Sequence, residues 1–76
     1  MWTARRFRLK EQILVTELQG GDRVAHYIPR GELVVVAGGP RTDDIRLVDL
    51  FWGDRTVTVF AVDLEARGEE VSAETA

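Results

Sequence analysis

The chain contains no cysteine and a single histidine, His26. No disulfide can brace it, no thiolate can act as a nucleophile, and an ordinary zinc site of His and Cys ligands is excluded. Its one serine, Ser72, lies close to the C-terminal end, away from any acid–base pair. No apolar run approaches the ~20 residues that a membrane helix needs. The basic residues Arg5, Arg6, Arg8 and Lys10 are not followed by the roughly 7–15 apolar residues of a secretory signal. These absences predict a soluble, cytoplasmic protein with no membrane contact, no metal and no cofactor.

Residues that resemble chemical motifs do not complete them. Gly38-Gly39-Pro40-Arg41 is glycine-rich but lacks the Gly-Lys-Ser/Thr ending and the following helix of a phosphate loop. Asp43-Asp44 and Glu69-Glu70 are adjacent acids, and neighbours on a strand or loop point apart rather than into one site. His26 sits in the middle of a strand-like stretch with no acidic partner identifiable in the sequence, so a structural or surface role is expected. The chain reads as a non-enzyme.

What is present is a small globular composition: 76 residues, 45% hydrophobic and 30% charged. A domain of this size buries only about 60–65% of the surface its unfolded chain exposes. Residues 1–71 read as one domain, and 72–76 as a disordered polar tail. The net charge of −3 is unevenly spread: residues 1–38 carry a net of +2 and residues 39–76 a net of −5. Opposite charge on the two halves suits internal pairing or complementarity between copies. The acidic overall balance counts against a dedicated nucleic-acid binder.

The chain alternates. Phe7 and Leu9 share one face, with Arg6, Arg8 and Lys10 on the other, as on a half-buried edge strand. Ile13 to Leu18 is a second β-rich run; its β-branched residues oppose a helix through 9–18. Gln19-Gly20-Gly21-Asp22 is a turn, and Arg23 to Ile28 returns with Val24, His26 and Ile28 on one face. Pro29-Arg30-Gly31 turns the chain again. The continuous run Leu33-Val34-Val35-Val36 predicts a strand covered on both faces or one that bends through the core. A loop from Gly38 to Asp44 precedes the last third of the chain.

That last third carries the strongest pattern, IRLVDLFWGDRTVTVFAVDL. A two-residue Gly53-Asp54 loop fixes a hairpin register: Trp52 opposite Arg55, Phe51 opposite Thr56, Leu50 opposite Val57, Asp49 opposite Thr58, Val48 opposite Val59 and Leu47 opposite Phe60. Glycine at the first central position predicts a type II′ turn. Leu50, Val57, Val48 and Val59 then build the core, Asp49 and Thr58 face water, and Trp52 stacks on Arg55. Phe60 and Leu64 are expected to turn inward together as a lid.

The order of strand, Trp, Gly turn, strand, Phe-Ala-x-Asp-Leu and last strand resembles SH3-like small barrels, in which a short 3₁₀ turn joins the fourth strand to the fifth. LVDLFWGDRTVTVFAVDLEARGEEV is also similar to a group of short uncharacterised bacterial proteins. The matching positions are Leu47, Val48, Asp49, Trp52, Val57, Phe60, Asp63, Leu64, Arg67, Gly68 and Glu69; Gly53 directly follows Trp52, where the group has an intervening residue. The resemblance implies an all-β, SH3-like small barrel of five or six short antiparallel strands with a 3₁₀ turn near Ala61–Leu64. It implies no activity. The proline-peptide groove of signalling SH3 domains is not expected, because the Gly38–Asp44 loop has no aromatic residue. A barrel this small is filled by its own side chains, which excludes an internal ligand.

Two functions fit. One is a non-catalytic protein-interaction module, with self-association as one form of it, using the aromatic residues Phe51, Trp52 and Tyr27 together with Arg55; Trp2 is a further aromatic candidate. Aromatics and arginine dominate interface hot spots. The alternative is a nucleic-acid-binding barrel in which Arg5, Arg6, Arg8 and Lys10 contact phosphates and Phe7 or Tyr27 stacks on bases.

Overall fold

The computed structural model describes residues 4–38 and 46–71. The expectations for Trp2, for Asp43-Asp44 and most of the preceding glycine-rich loop, and for Ser72 and the tail lie outside the described residues. The chain order is β1 (Arg6–Leu9), β2 (Ile13–Gln19), β3 (Asp22–Ile28), β4 (Leu33–Gly38), β5 (Leu47–Trp52), β6 (Arg55–Phe60), α1 (Ala61–Arg67) and β7 (Gly68–Val71). The strands form one sheet in the order β3-β2-β6-β5-β4-β1-β7. Every pairing is antiparallel.

The all-β expectation holds, but among the described residues the sheet has seven strands and does not close. β1 and β2 are separated only by the bend at Lys10–Gln12, and they join different neighbours: β1 lies between β4 and β7, and β2 between β3 and β6. The end strands β3 and β7 do not pair with each other. α1 packs against β2 and β6 on one side and β1 and β7 on the other.

The expected 3₁₀ turn is a seven-residue α-helix. Glu65, Ala66 and Arg67 are good helix formers that extend it, and the Gly68 N–H closes it on the Leu64 carbonyl with the four-residue spacing of an α-helix. No helix among the described residues is long and apolar enough to cross a membrane.

The hairpin register is the one predicted, pair for pair from Trp52–Arg55 to Leu47–Phe60. Gly53 takes φ +63° while Asp54 does not have a positive φ, which is the type II′ pattern. At the β2–β3 turn both Gly20 (φ +58°) and Gly21 (φ +88°) are left-handed, as type I′ requires.

One face of the sheet is apolar and buried. Phe7 and Leu9, Ile13 and Val15, Ile28, Val34 and Val36, Val48 and Leu50, and Val57 and Val59 line it, and Leu64 of α1 completes it. Fully burying each aliphatic side chain contributes about 1.5–3 kcal/mol. Strict alternation accounts for the whole set, and it corrects two expectations. Val34 and Val36 point inward while Leu33 is exposed and Val35 half-buried, so β4 is covered on one face rather than two. Phe60 is not a lid: it follows Val59 on the opposite face and is 45% exposed, whereas Leu64 is fully buried.

Gly68 is fixed by close approach. A Cβ there would lie 2.7 Å from the Leu64 carbonyl oxygen and 3.3 Å from the Phe7 ring. Gly68→Ala is expected to destabilise the fold by about 1–3 kcal/mol through overpacking, read as a lower denaturation midpoint in urea. A midpoint equal to that of the wild type would mean that α1 and β1 are not packed this tightly.

Candidate functional site

At the Gly53 end of the hairpin, the inward-facing rows pass from apolar to polar residues. Ile13 and Val15 of β2 lead to Glu17, Ile28 of β3 to His26, Val57 of β6 to Arg55, and Leu50 of β5 to Trp52. These four side chains converge. Arg55 Nε donates to Glu17 Oε2 at 3.1 Å, and its Nη2 donates to Glu17 Oε1. His26 Nε2 is 2.9 Å from Glu17 Oε1. The same nitrogen lies 3.3 Å from Arg55 Nη2, so His26 bridges both members of the Glu17–Arg55 pair. Gln19 adds a bond to the same Glu17 oxygen at 3.3 Å.

The guanidinium of Arg55 lies over the Trp52 ring, 4.9 Å from its centroid, so the predicted cation–π pair forms. His26 is tilted beside the same ring at 6.0 Å. Trp52 Nε1 donates to Glu32 at 2.9 Å.

The group acts as a polar stopper on the core. The Glu17 side chain is only 13% exposed. Its carboxyl is held well below its ordinary 4.5, at about 2, chiefly by the Arg55 hydrogen bonds and further by His26 and Gln19. Arg55 is correspondingly held protonated by Glu17. A carboxylate with so low a pKa is a poor proton acceptor near neutral pH. Among the described residues no buried side-chain nitrogen or oxygen lacks a partner, and no three His, Asp or Glu side chains could share a metal ion.

The aromatic residues expected to act together are divided between the two faces of the sheet. Trp52 and Arg55 belong to this inner cluster. Phe51 and Tyr27 lie on the outer face and are 49% and 57% exposed. Tyr27 is paired with Leu14, and Phe51 sits between Val35 and Thr56. The Thr16–Thr58 register of β2 and β6 carries the first row on, bringing Leu14 alongside Phe60 and Leu18 alongside Thr56. Between the two rows runs a polar one. Thr58 Oγ1 donates to Asp49 at 2.8 Å, and Arg23 donates to Thr16 Oγ1 at 3.1 Å. Asp49 and Thr58 were expected to face water, yet Thr58 is buried and Asp49 half-buried.

A shallow pocket of about 260 Å³ adjoins the first row, lined by Gln12, Leu14, Tyr27, Asp63 and Arg67.

The basic N-terminal residues do not form one surface. Arg5 makes two hydrogen bonds to Glu70, at 3.0 and 2.8 Å, and lies over the Phe7 ring. The pair holds the Arg5 pKa up and the Glu70 pKa down. Arg6 and Arg8 project from the other face. Arg8 stands opposite Glu69 and donates to the Gly31 carbonyl at 3.2 Å. Lys10 lies in the bend after β1. Phe7 is 3% exposed and cannot stack on a base, which removes one of the two expected stacking residues.

Sequence reasoning missed Glu17, Glu32 and Glu70. Only the β2–β3 register puts a signal for one of them in the sequence: it places Glu17 diagonally across from His26. The chain matches no family model, no curated protein and no solved structure.

The low pKa of Glu17 gives a signed prediction. A carboxyl whose folded pKa lies below its unfolded value stabilises the fold above the unfolded value, and this stabilisation is lost as pH falls through the folded one. The wild type should therefore lose thermal stability between pH 4.5 and about 2, and Glu17→Gln should flatten that part of the Tm–pH curve. Parallel curves for the two proteins would show that Glu17 is not held by Arg55 in solution.

Proposed function

We propose that the chain is a small, non-catalytic protein-interaction module, able to self-associate, that works in a bacterial cytoplasm. The observation that carries this reading is the outer face of the sheet. Tyr27, Leu14 and Phe60 form an exposed apolar row across β3, β2 and β6, and the exposed Val62 follows on α1. Leu18 and Phe51 add a second exposed set on the same face. Contiguous apolar surface of this kind marks interaction sites. The pocket beside Tyr27 has Asp63 at its edge for a partner's polar groups, while Arg67 there already donates to Glu11 at 2.8 Å.

The same proposal takes the fold as an opened relative of SH3-like small barrels. In its favour, the hairpin β5–β6 leads through a short helix to a last strand that pairs with the first. The nucleic-acid alternative draws little support. Arg5 is neutralised by Glu70, Arg8 faces Glu69, and Phe7 is buried.

A Leu14→Asp, Phe60→Asp double variant tests the reading. Both residues are exposed, so the fold should survive. Used as bait beside the wild type, the variant is expected to lose the identified protein, or the second copy, that the wild type retains. Indistinguishable recoveries would overturn the outer-face assignment. Salt-sensitive binding of single-stranded RNA, with no protein bound, would replace the reading with the nucleic-acid one.

A further inference from the structure

The two ends of the open sheet differ. β7 is four residues long and carries Glu69 and Glu70, a short, charged edge of the kind that discourages strand addition. β3 is seven residues long, contains no proline, and pairs with β2 without a bulge along its whole length. Nothing in its backbone guards its outer side.

The hydrogen-bond pattern says which groups that side presents. The β2–β3 loop has two residues, and the pair flanking such a loop, Gln19 and Asp22, exchanges both of its backbone bonds. Antiparallel pairs then alternate. Asp22, Val24, His26 and Ile28 therefore direct their N–H and C=O groups to β2. Arg23, Ala25 and Tyr27 direct theirs away from it. All three residues are exposed, and among the described residues no turn or loop backbone bond reaches them.

We infer that this edge pairs with the same edge of a second copy, antiparallel about a two-fold axis at Ala25. The inference rests on the interaction-module reading and names its partner and surface. The axis falls on the middle one of the three outward-facing residues, so each outward N–H and C=O of one copy meets its complement in the other. Ala25 faces the partner's Ala25, and its small side chain on the outer face obstructs nothing. Arg23 faces the partner's Tyr27, a pairing of guanidinium with aromatic ring that occurs twice by symmetry. Val24 faces the partner's His26, and Asp22 faces the partner's Ile28. No like charges stand opposite each other, which would oppose pairing.

This self-complementarity favours a second copy over an unrelated extended peptide, which would satisfy the same backbone groups without the matched Arg23–Tyr27 contacts. The joined sheet would set the Tyr27 end of one outer face beside the Arg23 end of the other. It is an isologous interface, closed at two copies.

Sedimentation equilibrium over a wide concentration range, on the wild type and two variants, tests the inference. Ala25→Pro removes an N–H that β2 does not use, and proline is tolerated on an edge strand in that orientation. Ala25→Lys places two cations face to face at the axis and carries the test if the proline variant does not fold. The wild type is expected to reach twice the mass of the single chain, and the folded variants to stay monomeric with the wild-type circular dichroism. A wild type that is monomeric throughout overturns the inference, and so does a dimer that survives both substitutions. If that surviving dimer dissociates in the Leu14→Asp, Phe60→Asp variant, the edge is wrong while the interaction-module reading stands.

Discussion

An antiparallel sheet with one apolar face must bury that face, and among the described residues only seven are helical and able to cover it. The sheet is therefore buried largely against itself. Rolling brings the inward rows of all six strands from β1 to β6 onto a common layer, and each end of that layer needs a stopper. Leu64 supplies one. At the other end, where Trp52, Arg55, His26 and Glu17 continue the rows, the closure is polar but fully bonded: the Arg55 guanidinium is held between a carboxylate and an indole ring. A carboxylate left there without its arginine would face the cost of partial burial unpaired.

This arrangement leaves little interior chemistry to exploit. The most buried acid in the inner cluster, Glu17, is saturated by donors, and the single histidine is spent on it. What the roll turns outward is the Tyr27–Leu14–Phe60 row, the notch beside α1 and the edge of β3. The two ends of the sheet are also chemically unequal. The β7 end is short, acidic and tied to β1 through Glu70 and Arg5, while the β3 end is long and smooth.

Much of the fold was legible because period-two alternation and turn chemistry agree. The two-residue Gly53-Asp54 loop sets one register, and the register sorts Val48, Leu50, Val57 and Val59 inward. Phe60 was misplaced because the far end of the hairpin was expected to twist it inward, whereas its position two residues from Thr58 keeps it on the outer face. Closure was misjudged for a different reason. Whether end strands meet depends on how far the sheet coils, and here β3 and β7 stay apart. The inner polar cluster was hidden because Glu17 and Arg55 are 38 residues apart and meet only through the β2–β6 pairing, which no local pattern announces.

The central claim is that α1 stoppers one end of the rolled sheet's core and is held there by that core rather than by its own helical bonds. Seven residues are too few for a stable isolated helix. Residue-resolved amide hydrogen exchange tests this most directly. The Gly68 amide, which donates to the Leu64 carbonyl, should exchange as slowly as the amides of Val48 and Val57 in the centre of the sheet, because all three open only when the domain unfolds. Rapid exchange at Gly68 beside slow exchange at Val48 and Val57 would contradict the account, since it would mean that the sheet holds its shape without the helix.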